Sequence, residues 1–402
     1  MNVLDSSSGR KCTSCGACGA VCPKDAIKIV LDKEGYYRPV VDAEKCIDCG
    51  LCVKVCYKFD EQLKVSTEED LKKKKLYSAW SNDAALLKHA TSGGIGDLLA
   101  RQLIEDGYKV VGVVYNEEKT RAEHRIASTI EDTLPFRGSK YIQSYSMDAL
   151  KEVMRTAKNE KYAVFGTPCQ IYALNRFASQ RNMRDNFVFV DLYCHGCPSM
   201  LVWTKYQQRM KEKYGVEHFD HVNFRSKVRG WGTFNVVFEK GGKTLFTNKA
   251  SDDGFYELFF CDTILNDGCN DCKLRGTLEY TDIRLGDFWG KKFLGNRSGV
   301  SAVSIATEKG AALFDEIKER IAYNECSYSE CLPYQSWNLT YKPNEQLRGL
   351  LLESLIMEED SITDAVRILH QRQPLKRKLK RIVKNVLRPL PVGVTMFLKR
   401  FI

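Results

Sequence analysis

The chain has 402 residues, 44% of them hydrophobic and 28% charged, a balance that excludes a disordered or collagenous protein and leaves room for two or three domains around a large core. Its formal charge of +10 lies in the C-terminus: residues 365–402 hold 11 Lys or Arg and no Asp or Glu, leaving 50 basic against 51 acidic residues elsewhere. A neutral body excludes a nucleic-acid-binding core, the absence of a signal pattern or a ~20-residue apolar run points to a cytoplasmic protein, and 16 cysteines in a reducing compartment point to metal sites before disulfides.

In chain order, Cys12, Cys15, Cys18 and Cys22 followed by Pro23 spell C-x2-C-x2-C-x3-C-P, and Cys46, Cys49, Cys52 and Cys56 repeat the spacing with Tyr57 in place of proline. This is the bacterial two-cluster ferredoxin pattern, in which each run gives three thiolates to one [4Fe-4S] cube and its fourth to the other. One cluster therefore takes Cys12, Cys15, Cys18 and Cys56, the other Cys46, Cys49, Cys52 and Cys22. A zinc knuckle needs a single set of four ligands, and a disulfide scaffold does not suit a chain of this length. Alternation over residues 26–30 and 36–41 predicts two short strands bent at Gly35. The lysine-rich stretch after Cys56, ending at residues 72–75, reads as a solvated linker.

Residues 84–90 predict a helix, residues 91–96 (TSGGIG) a glycine-rich turn, residues 97–106 a second helix stopped by Gly107, and residues 110–115 an apolar strand. Such a turn offers N–H groups and a positive dipole end that suit a phosphate. Its spacing is not G-x-G-x-x-G, and a tight connection is the equal alternative. Residues 161–165 (KYAVF) run into Gly166-Thr167-Pro168-Cys169-Gln170, and residues 186–193 (NFVFVDLY) into Cys194-His195-Gly196-Cys197-Pro198-Ser199. Apolar runs followed by helices predict parallel strands whose carboxyl-end loops carry ligands, with Cys169 and Cys194 on one rim. Further on, residues 233–239 and 244–247 flank Gly241-Gly242 as a hairpin. Cys269-x-x-Cys272 precedes a strand at 280–285, and a strand at 300–307 precedes a helix at 309–321. The fold class expected is α/β followed by mixed α+β.

The order of these motifs resembles the family of coenzyme F420 hydrogenase and dehydrogenase beta subunits. The likeness rests on the double cysteine run, Ser92-Gly93-Gly94, Gly138-Ser139-Lys140-Tyr141, Gly166-Thr167-Pro168-Cys169-Gln170, Cys194-His195-Gly196, Cys269-x-x-Cys272 and Asp282-Ile283-x-x-Gly286-Asp287-x-Trp289-Gly290. It implies an iron–sulfur flavoprotein oxidoreductase with a two-cluster ferredoxin domain (1–65), a flavin-binding α/β region (76–160) and a region carrying third-cluster cysteines (161–330); beyond these the sequence reads as a helical extension (331–373) and a basic amphipathic tail (374–402). It implies FAD at Ser92, Gly93, Gly94, Lys140, Tyr141, Thr167 and Pro168, a third [4Fe-4S] cluster on Cys169, Cys194, Cys269 and Cys272, and His195 as a proton donor to substrate.

Pattern alone instead pairs Cys194-x-x-Cys197 with Cys269-x-x-Cys272 as a zinc or cubane site. Cys197, where the family has valine, and Cys261, Cys326 and Cys331 can equally be small buried hydrophobes. The chemistry implied is relay of single electrons to FAD for two-electron reduction or oxidation of an organic substrate or a deazaflavin coenzyme, with surface-polysaccharide synthesis as one setting among relatives. The alternatives are a non-catalytic electron-transfer subunit of a larger redox complex, and an assembly protein that keeps its clusters structurally. An electron donor or acceptor protein is the partner implied. The tail sets Leu375, Leu379, Ile382, Val383, Val386 and Leu387 at helical spacing against a Lys/Arg face, which predicts either a helix lying peripherally on the inner membrane face or one packed on the protein's own body.

Overall fold

The computed structural model describes residues 2–4 and 11–372, so the amphipathic tail lies outside the described residues. Strands β1 (Ile27–Leu31) and β2 (Tyr37–Val41) form an antiparallel hairpin that turns at Gly35, whose φ is +80°. Then come β3 (Lys75–Ser81), β4 (Lys109–Asn116), β5 (Arg121–Ala127), β6 (Ser144–Tyr145), β7 (Tyr162–Phe165), β8 (Phe187–Leu192), β9 (His221–Ser226), β10 (Asn235–Lys240), β11 (Lys243–Lys249), β12 (Ile283–Asp287), β13 (Ser301–Ile305) and β14 (Ile321–Cys326). Strands β9, β10 and β11 make a small antiparallel sheet, and the others from β3 onward join one mixed sheet in the order β14-β3-β13-β12-β8-β7-β4-β5-β6. Its centre, β12, β8, β7 and β4, is parallel.

The apolar runs of these central strands follow from burial on both faces. Val110, Ala163, Val188 and Ile283 pack beneath the helices Ile95–Glu105 and Glu308–Glu316, while Val111, Val164, Phe187 and Phe189 pack beneath Met147–Thr156 and Pro168–Gln180. Ala17, Ala20, Ile27, Ile29 and Tyr37 of the cysteine-rich N-terminal segment belong to that second core. The approach is close: a Cβ on Gly16 would lie 2.6 Å from Ser146 Oγ, and one on Gly19 2.7 Å from Met147 Sδ. Ser146 Oγ donates to the Cys15 carbonyl at 2.7 Å. A third core, built on Trp203, Tyr206, Phe238 and Phe255, joins the helix Met200–Tyr214 and the small sheet to the C-terminal helices Glu345–Ile356 and Ile362–Arg372. Among the described residues no helix is long and apolar enough to cross a membrane.

Two expectations need correction. The solvated linker is docked: Thr67 and Asp70 cap a short helix (Glu68–Lys72) reciprocally, Leu71 is buried, and Ser66 pairs with Gly276 and Leu278 through backbone and side chain. The lysine run then flows directly into β3, an inner strand of the sheet between β13 and β14. The helix expected over 309–321 stops at Glu316, and Ile321 opens β14.

Across β8 and β12, Asp191 stands opposite Arg284 in register, with Arg284 Nε and Nη2 at 2.8 and 2.5 Å from the two carboxylate oxygens. Both side chains are buried. Asp191→Asn would leave the guanidinium inside the sheet without its counter-charge, so a loss of about 3–5 kcal/mol is expected in urea unfolding; a change within error would show the pair to be dispensable. On β5, burial holds the His124 imidazole down to about 4 from its ordinary 6.5. The unfolded chain therefore binds the extra proton first, and stability is expected to fall as pH drops from about 6.5 towards about 4, with His124→Gln flattening that slope relative to wild type.

Candidate functional site

The helices Ala17–Ala20 and Leu51–Lys54 each begin at a left-handed glycine, Gly16 (φ +75°) and Gly50 (φ +73°), so the chain doubles back and the cysteines on either side of the turn face one hollow. Two hollows result. Cys12, Cys15, Cys18 and Cys56 line one, and Cys22, Cys46, Cys49 and Cys52 line the other. The last cysteine of each run thus lies with the first three of the other run, and four thiols around a hollow are the donor set of a [4Fe-4S] cube. Burial and the neighbouring thiols of Cys12, Cys56 and Cys52 push Cys18 well up, and burial pushes Cys56 up to about 11. Metal binding here must displace those protons. The second hollow reaches the surface at Cys49, and Asp48 Oδ1 lies 3.6 Å from Cys46 Sγ.

A third group of thiols forms where the loops after β7 and β8 meet the segment 267–276. Cys169 sits in the first turn of the helix Pro168–Gln180, which Thr167 and Gln170 cap reciprocally. Cys194 follows β8, and Cys269 lies in the short helix Asp267–Asn270 ahead of Cys272. Each of Cys169, Cys194, Cys269 and Cys272 is an electrostatic neighbour of the other three. Cys197 is also a neighbour of Cys269, so the nest contains five thiols. Cys261 bonds instead to the Leu258 carbonyl, Cys326 to Lys292 and Ser78, and Cys331 to Gln335.

This nest abuts the first hollow. The thiols of Cys169 and Cys15 are neighbours, and Cys12 and Cys56 are also close to Cys169. A Cβ on Gly268 would lie 2.5 Å from the Cys12 carbonyl oxygen, so only glycine lets the two loops touch. Tyr57 is buried at the junction, where its hydroxyl reaches Cys272 and the Gly268 carbonyl. The tyrosine in place of the usual proline was the sequence signal for this contact. Arg275, which no motif marked, is 3% exposed and donates to the carbonyls of Cys194, His195 and Leu339 at 3.2, 2.6 and 2.9 Å. Arg284 donates in turn to the carbonyls of Leu274 and Arg275.

The residues predicted for a flavin spread along the carboxyl edge of the sheet. Gly93 is pressed onto β3, since a Cβ there would lie 2.2 Å from the Ala79 oxygen, and its N–H donates to Ser301 Oγ at 3.0 Å. Ser92 Oγ donates to the Val300 carbonyl, and Gly94 starts the helix Ile95–Glu105. Ser139 N donates to Thr91 Oγ1 at 2.8 Å, which ties the 138–141 loop to this turn. Lys140 spends its ammonium on the carbonyls of Pro135, Phe136 and Arg137, and burial pulls it down to about 7. Tyr141 stacks on Phe234 and accepts from Arg225 Nη1 at 3.3 Å. Thr167 and Pro168 stand beside Cys169 at the end of β7, four strands from β3. His195 Nε2 is 2.9 Å from Asp262 Oδ1, at an angle that makes no hydrogen bond, and Nδ1 is 3.0 Å from the Tyr341 hydroxyl.

Sequence reasoning missed three residues on this edge. Lys227 Nζ donates to the carbonyls of Leu87, Ser92 and Ser298. Arg225 is 4% exposed and pairs with Asp287, which also accepts from Trp231 Nε1, yet its Nε and Nη2 have no hydrogen-bond partner. Two cations against one carboxylate leave a positive excess beside the Ser92 turn, the chemistry of an anion seat. Leu192, at the end of β8, leaves an apolar side chain 43% exposed.

The family model for the C terminus of the coenzyme F420 hydrogenase/dehydrogenase beta subunit matches residues 159–330, that for its N-terminus matches residues 76–151, and a 4Fe-4S dicluster domain matches residues 11–58. The two beta-subunit models together cover more than half of the chain. The chain is 27% identical over 250 residues to the coenzyme F420 hydrogenase subunit beta of Methanococcus voltae, which spans 60% of this chain and 80% of the relative. It is 26% identical over 329 residues to an F(420)H(2) dehydrogenase component of Methanosarcina mazei, 78% of this chain and 84% of the relative. A chain of the F420-reducing [NiFe] hydrogenase complex from Methanosarcina barkeri superposes with a TM-score of 0.45 at 21% identity, over 74% of this chain and 91% of that one.

Anaerobic reconstitution is expected to load about twelve irons per chain, four for each nest, with Cys194→Ser lowering this to about eight and Cys197→Ser leaving it unchanged. Iron and sulfide analysis decides. Loss of four irons on Cys197→Ser but not on Cys169→Ser would exchange Cys169 for Cys197 in the third set.

Proposed function

Because the chain belongs to the family of coenzyme F420 hydrogenase/dehydrogenase beta subunits, we propose that it serves as an iron–sulfur electron-transfer component of a larger redox complex. The meeting of the Cys15 and Cys169 thiols carries this reading, because it joins the nests into one series. The series starts at exposed Cys49, continues through the Cys52 and Cys18 pair, and ends at the carboxyl edge of the sheet. Iron–sulfur cubes, when bound, supply one-electron storage at each nest. Cys22, Cys46, Cys49 and Cys52 hold the outer site, Cys12, Cys15, Cys18 and Cys56 the middle one, and Cys169, Cys194, Cys269 and Cys272 the inner one. Gly268 and Tyr57 keep the middle and inner ligands side by side.

Arg225 supports a finer assignment, that of FAD to the carboxyl edge. Its unpartnered guanidinium N–H groups and Lys227 supply positive charge for the pyrophosphate beside the turn of Ser92, Gly93 and Gly94. Lys140 and Tyr141 belong to the loop that Ser139 ties to Thr91 of that turn, Leu192 offers an open apolar surface, and Thr167 and Pro168 stand on the cysteine side of the same edge. Flavin, when bound, couples one-electron to two-electron chemistry. His195, set between Asp262 and Tyr341, is the proton carrier for an organic substrate or a deazaflavin coenzyme.

The reconstituted chain is expected to retain about one FAD, and Arg225→Met to lose most of it with its iron intact. Cys169→Ser is expected to stop electrons supplied at the outer site from reaching the flavin. Iron without flavin would leave the electron-transfer reading standing and remove FAD from it, whereas unimpaired flavin reduction in Cys169→Ser would remove the relay.

A further inference from the structure

We infer that Arg275 raises the reduction potential of the inner iron–sulfur site and so makes it the place where electrons settle; this rests on the proposed cluster at Cys169, Cys194, Cys269 and Cys272. A cube held by four thiolates is anionic, and reduction adds a further negative charge. Burial alone makes that charge costly, so a buried cube without a counter-charge is hard to reduce.

Arg275 is that counter-charge. Its guanidinium is held by three backbone carbonyls and lies 4.5 Å from the centre of the Tyr341 ring, and it forms no ion pair among the described residues. A cation buried without a carboxylate costs several kcal/mol unless something else offsets it. The geometry points to the cube: Arg275 Nη2 and the Cys269 Cβ lie 3.3 and 3.4 Å from the same point above Gly196, which puts the guanidinium in the wall of the nest.

Neither of the other sites is arranged this way. At the middle site Arg38 is paired with Asp32 at 3.0 Å, and Lys58 with Asp271 at 2.9 Å. At the outer site Lys24 is exposed to solvent, and Asp48 lies beside Cys46. A buried cation without a carboxylate partner thus stands at the inner site, and it draws electrons there.

The test is a redox titration followed by electron paramagnetic resonance on the reconstituted full chain and its variants, with iron counted in each. Arg275→Gln is expected to lower the midpoint of one centre and leave the other two in place, while Arg275→Lys, which keeps the charge, stays near wild type. A second variant, Leu339→Asp, introduces a carboxylate from an exposed position whose carbonyl already accepts from Arg275, and should lower the same midpoint in part. In wild type reduced by one electron per chain, the inner signal should appear first. A midpoint unmoved by Leu339→Asp and by a fully iron-loaded Arg275→Gln would overturn the inference, as would an equal fall in the Lys and Gln variants. Only about eight irons in wild type, with no third signal, would instead take down the underlying cluster assignment and this inference with it.

Discussion

Two charges buried in the middle of the large sheet, Asp191 and Arg284, hold each other through paired hydrogen bonds, and the remaining N–H groups of Arg284 reach out of the sheet to the carbonyls of Leu274 and Arg275. Arg275 repeats the pattern one step further and fixes the carbonyls of Cys194 and His195. The loop of Cys194 and the segment after Cys272 are therefore held by charge anchored in the sheet as well as by contacts of their own. Taking such ions out of water costs several kcal/mol each, and a pair of apolar residues could stabilise the strands as well. What apolar residues could not do is grip specific carbonyl oxygens, and that grip holds the Cys194 loop against the segment that follows Cys272.

Much of this arrangement was legible in the sequence where chemistry imposes spacing. The two cysteine runs fixed which thiols share a hollow, because the exchange of fourth ligands follows from geometry and owes nothing to the rest of the fold. The central strands were legible for a different reason: burial on both faces writes an unbroken apolar run such as that of β8. Strand β3 escaped because its lysine-rich approach looks like a wet linker, yet Leu76, Tyr77 and Ala79 are buried between neighbours contributed by residues more than 200 positions later. Arg225, Lys227 and Arg275 carried no local signal at all. Their roles come from the partners that tertiary contacts bring to them, and a single arginine or lysine in a sequence is indistinguishable from a solvated one.

The motif residues near the Ser92 turn carry a backbone role that their pattern did not announce. Gly93 and Lys140 also serve the backbone: the glycine lets the turn lie flat on β3, and the lysine satisfies three carbonyls at the end of a short helix. Motifs along this edge thus report its scaffolding. The side chains with unspent hydrogen-bonding capacity, Arg225 above all, come from β9 of the small sheet. The edge is closed by an element that arrives from outside the main sheet.

The shared core of the cysteine-rich N-terminal segment also constrains when this protein can mature. Ala17, Ala20, Ile27 and Ile29 have their apolar partners on helices after residue 146, and the hydrogen bond that seats Cys15 spans 131 positions. As the chain leaves the ribosome, the first cysteines therefore emerge long before anything exists to shelter them, and they wait as accessible thiols. Delivery of iron and sulfide and completion of the fold become one event, scheduled by the synthesis of residues that bind no metal.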